Sequence, residues 1–286
     1  MGGISMKEFL AKTNPKETIQ EHTDQLLKNY NLLKSAYPNL NVDWDMLYMA
    51  CVYHDLGKIN RKFQNRLKHG KRDDSEIPHG ILSLAFINYE ELENNGYSEE
   101  ISVLFHTVGY HHDRKLDFSL KDVDDEIELM QNEIDDFKYD KFKEVILNNT
   151  IEEEFFILKD RIYRRNGEEK FFKYIMLKGL LNRIDYAASA HLPVENENNF
   201  LLEGMENLLN NWKRENPNSE WNKLQKFMIE NRNRNTIVAA QTGMGKTEAG
   251  LLWIGNNKGF FTLPIKTAIN SIYKRIIENI VTDNFS

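Results

Sequence analysis

The sequence predicts a mainly α-helical chain that turns, towards its end, into the opening of a parallel α/β sheet. Three observations carry that prediction. Apolar residues recur at helical spacing from about position 16 to about position 192, helix after helix. From Asn235 onward a short apolar run, a glycine-rich loop and a helix-like stretch follow in the order strand, loop, helix, strand, helix. The 286 residues, 41% of them hydrophobic, suffice for a large core and for more than one domain.

The first helix is expected to open at Asn14 as N-cap, with Pro15 at the first helical position and Glu17 as capping-box acid. Its apolar stripe is Ile19, Leu26, Tyr30 and Leu33, and His22 shares that face. Leu47, Ala50, Cys51 and His54 share a face of the second helix, which Gly57 is placed to stop. Pro78-His79-Gly80 opens a third, backed by Leu82, Ala85 and Phe86; a fourth spans 101–112. Residues 117–159 are rich in Asp, Glu and Lys and read as a solvated helical excursion. A long apolar helix over 171–190 sets Leu177, Leu181, Ile184 and Ala188 around Asp185. Residues 195–220 are polar around a short apolar piece ending at Trp212 and read as a connection. Beyond it, 236–240 and 260–264 read as strands, and 248–254 and 266–280 as helices. The expected domains are 1–194 and 221–286, joined by 195–220.

Composition closes several functional classes. A net charge of −7 means that any nucleic-acid contact must use a local basic patch. One cysteine, Cys51, excludes a disulfide framework and a multi-thiolate zinc site. No apolar run reaches the ~20 residues of a membrane span, and the first residues lack a signal-peptide pattern. A cytoplasmic protein that engages no membrane is the expectation.

Five histidines and two aspartates fall on apolar helix faces or at their ends: His22, His54, Asp55, His79, His111, His112 and Asp185. Burying so many titratable groups costs several kcal/mol unless they pair or hold metal. A shared metal site explains them better than seven separate structural roles. His106 reads as structural, His69 as solvated, and His191 has no assigned role. Directly after the His54-Asp55 pair comes the strongest basic cluster, Lys58, Arg61, Lys62, Arg66, Lys68, Lys71 and Arg72, with Phe63 among them. Cations beside an aromatic suit a single-stranded backbone with stacking bases.

Ala240-Gln241-Thr242-Gly243-Met244-Gly245-Lys246-Thr247 follows the Walker A pattern with Ala for its first glycine. Gly243 and Gly245 would let backbone N–H groups cradle phosphates, Lys246 would reach the β/γ-phosphates, and Thr247 would hold Mg²⁺.

The histidine and aspartate set resembles the HD phosphohydrolase superfamily. Within it, the doubled His111-His112 and the phrase His54-Asp55-Leu56-Gly57-Lys58 resemble the nuclease domain of type I CRISPR-associated nuclease-helicases. Over roughly residues 16–191 this resemblance implies an HD-domain helical bundle. It assigns His22, His54, Asp55 and Asp185 to one divalent metal and Asp55, His79, His111 and His112 to a second. Asp55 bridges, Asp55 and Lys58 carry the catalysis, and Lys58 contacts the scissile phosphate. The N and O donors suit Mn, Fe, Ni, Co or Zn. Thr242 to Ala249, and Thr262 to Asn270, are similar to the first motifs of superfamily-two helicases of the CRISPR branch, with Ile265-Lys266 where Thr-Arg is usual. That similarity implies the beginning of a RecA-like α/β helicase lobe, Mg-ATP in the full-length protein, and Gln225 as the adenine-reading glutamine. The chain stops at Ser286, before an acidic Mg²⁺-holding motif and a second lobe, so it is expected to show little or no ATPase and no unwinding by itself.

The implied function is metal-dependent cleavage of single-stranded DNA in type I CRISPR antiviral defence, with Arg61, Lys62 and Arg66 on the nucleic acid and recruitment by a crRNA-guided, Cascade-type surveillance complex. The alternative is an HD-family phosphohydrolase of nucleotides or cyclic nucleotides, which the attached phosphate loop disfavours. A non-catalytic binding module is the third reading.

Overall fold

A computed structural model describes residues 8–94, 96–97, 101–112, 118–142, 144–152, 168–196 and 199–281. The chain divides into two compact units, Met1–Glu195 and Asn196–Ser286. The protein is mainly helical, as its periodicity implies, and among the described residues no helix is long and apolar enough to cross a membrane.

The first unit opens differently from expectation. Strands β1 (Leu10–Thr13) and β2 (Lys16–Thr18) form an antiparallel hairpin, with Asn14 and a cis-linked Pro15 at its turn. Helix α1 (Ile19–Ala36) begins only at Ile19. Thr18 is its N-cap and accepts from Glu21 N, while Glu21 reaches back to Thr18 N at 2.8 Å. This reciprocal box satisfies two orphan donors at once, which the Asn14 start could not match. Glu17, expected to cap, sits instead in β2, opposite Lys12.

Helices α2 (Trp44–Tyr53), α3 (Arg61–His69), α4 (His79–Ser83), α5 (Tyr89–Asn94) and α6 (Ile101–Gly109) follow, with a 3₁₀ turn at Leu56–Ile59. After α7 (Leu120–Gln131), the long α8 (Glu168–Ser189) completes the unit. Helices α1, α2 and α6 all pack against α8. The stripe foreseen on α1 is buried: Ile19, Leu26, Tyr30 and Leu33 join Leu47, Leu104, Val108, Leu181 and Ile184 in one core. Truncating any one of these aliphatics to Ala costs about 2–5 kcal/mol.

The acidic stretch is not merely solvated. Helix α7 starts at a capping box on Ser119 and buries Val123, Ile127 and Met130 at helical spacing, and Phe137 and Tyr139 join the same core. Its charged residues are exposed or half-buried except Glu126, which is buried with the apolar side. Residues 117, 143 and 153–159 of that stretch lie outside the described residues.

The second unit contains α9 (Leu201–Glu215), α10 (Lys223–Glu230), α11 (Lys246–Ile254) and α12 (Lys266–Asn279). Within the stretch read as a connection, α9 buries Leu201 and Met205 against Leu251, Leu252, Ile280 and Val281. Gly204 comes so close to the Ile280 carbonyl that a Cβ there would collide with it. The two expected strands do not form: residues 235–241 and 258–263 have no assigned secondary structure, and the hairpin is the one ladder among the described residues. Ile237 and Phe260 are exposed. A strand exists only by pairing, and among the described residues neither stretch joins a ladder.

Candidate functional site

The six elements that meet around Asp55 each deliver part of one cluster. Helix α1 presents His22, the end of α2 presents His54, and the following turn presents Asp55. Helix α4 begins with His79, His111 and His112 follow α6, and Asp185 lies one turn before the end of α8. His22, His54, Asp55, His111 and Asp185 are all buried.

The cluster has two halves. His22, His54 and Asp185 each offer a ligand atom, and these atoms lie within 4.8 Å of one another; His79, His111 and His112 do the same. His22 Nε2 is 3.0 Å from Asp185 Oδ1. Asp55 stands between the halves. Its Oδ2 lies 3.6 Å from His22 Nε2 and 3.5 Å from His54 Nε2, and its Oδ1 lies 3.2 Å from His79 Nε2. On the other side, His79 Nε2 and His111 Nε2 are 3.2 Å apart.

The outer hydrogen bonds set which nitrogen faces inward. His54 Nδ1 is 3.0 Å from the Cys51 carbonyl and His111 Nδ1 is 2.6 Å from the Val108 carbonyl. A carbonyl only accepts, so each Nδ1 carries the proton and each Nε2 turns a lone pair to the cluster. Burial lowers the pKa of His54 and His111 and pulls His79 down to about 4, so these rings are neutral. Burial pushes Asp55 up, but its neighbours His54 and His79 and the Lys58 ammonium outweigh it and hold the carboxyl well below the usual range. Asp185 is likewise lowered, the His22 hydrogen bond and His54 overcoming its burial.

Neutral imidazoles and ionised carboxylates are the forms that ligate divalent metal. The donor set fits such an ion: His54 Nε2 and Asp55 Oδ1 are buried without any hydrogen-bond partner, which is costly unless something else satisfies them.

The turn that presents Asp55 is locked to α4. Gly57 N donates to Ser83 Oγ (2.8 Å), and that hydroxyl donates to the His54 carbonyl (2.8 Å). A Cβ on Gly57 would collide with the His79 carbonyl and lie 2.8 Å from Ser83 N. Glycine is required here for close approach of two backbones, more than for ending a helix.

The chain matches the family model described as Cas3, HD domain over residues 8–170, more than half of its length. It belongs to the Cas3 HD-domain family. A relative named CRISPR-associated nuclease/helicase Cas3, from Methanothermobacter thermautotrophicus, is 24% identical over 330 aligned positions, covering 94% of this chain and 39% of the relative. A second, from Methanocaldococcus jannaschii, carries the same designation and is 23% identical over 279 positions, covering 79% of this chain and 37% of its own length. The chain thus spans about two-fifths of these relatives. No solved structure matches it. The Cas3 HD-domain match ends before Asp185, so Asp185 joins the cluster on geometry.

The other expected site residues divide sharply. Lys58 Nζ lies 2.7 Å from Asp55 Oδ2, beside the cluster. Arg61 is exposed. Lys62 is committed to an ion pair with buried Glu126, which also accepts from Asn60 Nδ2 at 2.7 Å, and Arg66 pairs with buried Glu76 at 2.7 Å. Phe63 is buried between Lys58, Arg66 and His79, so its ring has no free face for a base. His106 packs against Tyr110 and Tyr174, in keeping with a structural role.

Residues missed from sequence are Ser83 and Glu17. Ser83 is a lone hydroxyl in an apolar run. Glu17 is a buried carboxylate whose Oε2 lies 3.5 Å from His22 Nδ1. The sequence signal for Glu17 was its place five residues before His22, which a helical reading turned into a cap.

In the second unit, Gly243 and Gly245 adopt positive φ (87° and 72°), the conformation that makes glycine necessary in this loop. Lys246 opens α11, and its Nζ donates to the Ala240 and Gln241 carbonyls (3.0 and 2.9 Å). Thr247 follows it on α11, half-buried. Gln225 is buried, and its Oε1 accepts from Asn222 N in the capping box of α10.

Proposed function

We propose that the first unit hydrolyses phosphodiesters of single-stranded DNA with two divalent transition ions, as the nuclease part of a CRISPR-associated protein. The observation that carries this reading is the position of Asp55, with one oxygen towards each histidine cluster. His22, His54, Asp55 and Asp185 hold one ion; Asp55, His79, His111 and His112 hold the other. Bound there, such ions supply charge to the phosphate oxygens and activate the attacking water.

The chain's own residues do the rest. Asp55 remains ionised and fixes the two half-sites together. His112, 37% exposed, and His79, 15% exposed, mark the side open to substrate, whereas His22, His54 and Asp55 are sealed below. Lys58 stands at that opening and offers its ammonium to the scissile phosphate, with Arg61 beyond it on the strand's path. Lys62 and Arg66 hold α3 in place through Glu126 and Glu76. Membership of the family and the names of the two relatives support the CRISPR setting, and with it recruitment by a crRNA-guided, Cascade-type complex. The glycine loop of the second unit serves Mg-ATP in the helicase part, through Gly243, Gly245, Lys246 and Thr247.

The test is cleavage of a single-stranded oligonucleotide with added Mn²⁺, Co²⁺ or Ni²⁺, with and without chelator, beside a panel of deoxynucleoside triphosphates and cyclic nucleotides. Metal-dependent cleavage of the oligonucleotide is expected. Hydrolysis confined to the small nucleotides would overturn the assignment in favour of a nucleotide phosphohydrolase.

A further inference from the structure

The base of the metal cluster contains a third carboxylate, one that the proposed ligand set does not use. Glu17 lies in β2, opposite Lys12 in the hairpin register, and is buried. Its Oε2 is 3.5 Å from His22 Nδ1, the nitrogen that faces away from the cluster. His22 Nδ1 is buried with no hydrogen-bond partner, while His22 Nε2 faces Asp185 and Asp55. The two other inward-facing histidines with an assigned outer partner use carbonyls: Cys51 for His54 and Val108 for His111. His22 alone of these three meets a carboxylate.

Lys12 binds the same carboxylate oxygen at 2.6 Å. Its ammonium also donates to the Ser189 carbonyl (3.0 Å) and lies 3.3 Å from His191 Nε2. Ser189 ends α8, four residues after Asp185. A cation at a helix C-terminus is favourable, and Lys12 also keeps the buried Glu17 charge paired. The hairpin thereby ties together the carboxylate behind His22 and the end of the helix that carries Asp185.

We propose that Glu17 is a positioning residue: it holds His22 with the Nδ1 proton outward and the Nε2 lone pair towards the cluster, while Lys12 fixes that carboxylate to the end of α8. The inference rests on the metal reading above. A carboxylate behind a ligating imidazole orients the ring and raises its basicity, and losing it costs roughly 10- to 100-fold in metal affinity. A movement of a few tenths of an ångström turns 3.5 Å into a full hydrogen bond.

The experiment uses the full chain loaded with Zn²⁺, which is diamagnetic, and compares wild type with Glu17→Gln and Glu17→Ala. Nitrogen-15 and proton spectra of the imidazoles report the Nδ1–H of His22, and the Nδ1–H of His54 serves as internal reference. Zn²⁺ affinity is measured by competition with a chelator, and a thermal melt by circular dichroism establishes that each variant is folded. The expected result is a downfield, slowly exchanging His22 Nδ1–H in wild type, shifted upfield in Glu17→Gln and lost to exchange in Glu17→Ala, with His54 unchanged. Affinity at one of the two sites falls about 10- to 100-fold in Glu17→Ala and less in Glu17→Gln. Glu17→Gln keeps the shape of the side chain, so it reads the charge if Glu17→Ala does not fold. An unchanged His22 signal and unchanged affinity in folded variants would overturn this inference and leave the metal reading standing. A wild-type chain that takes up no Zn²⁺ would overturn both.

Discussion

The histidine–aspartate cluster and the glycine loop carry equally plain sequence motifs, yet one is a finished constellation and the other is not. Around Asp55, side chains from six elements converge because the helices that bear them share a single core. Around Lys246, the glycines take their special conformations, but among the described residues no ladder flanks the loop, and the lysine spends its charge on the loop's own carbonyls. Helices satisfy their backbones internally and need only an apolar face to cover. A strand must find a partner, so a motif hung on a strand depends on residues far from itself.

That contrast can be broken or sharpened by experiment. The largest effect is expected from Asp55→Ala, which removes the residue shared by both half-sites. Cleavage of a single-stranded oligonucleotide should fall roughly a thousandfold or more, since charge stabilisation by such ions is worth several kcal/mol. Undiminished cleavage would end the two-metal reading. Next in size is removal of metal. An ion present at about 100 times its dissociation constant stabilises the unit that binds it by about 2.7 kcal/mol, or roughly 5–10 °C for a unit of this size. Chelation should lower the melting transition of the first unit and leave that of the second in place. A common shift of both would erase the distinction between them.

Gly57→Ala tests whether close backbone approach builds the site. The added methyl meets the His79 carbonyl and Ser83 N, so unfolding free energy should drop by ~3 kcal/mol, measured by urea denaturation. A neutral substitution would show that the turn has room to shift. The smallest effect belongs to Lys246→Ala. This exposed side chain touches only its own loop, so stability should stay within about 0.5 kcal/mol and oligonucleotide cleavage should not change.

Much of the helical unit was legible because burial and helical period coincide. His22 shares the stripe of Ile19, Leu26, Tyr30 and Leu33, and Asp185 sits among Leu181, Ile184 and Ala188, so a polar residue in phase with a core face announced itself. Where signals competed, the reading slipped. Asn14-Pro15-x-Glu17 and Thr18-x-x-Glu21 both resemble helix starts, and only the second closes both hydrogen bonds. Charge density hid the buried side of α7, and with it Glu126. The basic run after Asp55 looked like one surface because a sequence does not say which cations have acids behind them; Glu126 and Glu76 lie far along the chain from Lys62 or in a separate turn from Arg66.

Cys51 offers a practical consequence. What the site takes from it is its backbone carbonyl, the acceptor for His54 Nδ1, while its thiol is buried and kept protonated by the apolar surroundings. Because it is the sole cysteine in the sequence, the native chain is silent towards thiol-reactive probes. A single cysteine introduced at an exposed position such as Arg61 would accept a spin label or fluorophore without background. The chain therefore comes ready for distance measurements between a chosen surface point and a paramagnetic ion in the cluster.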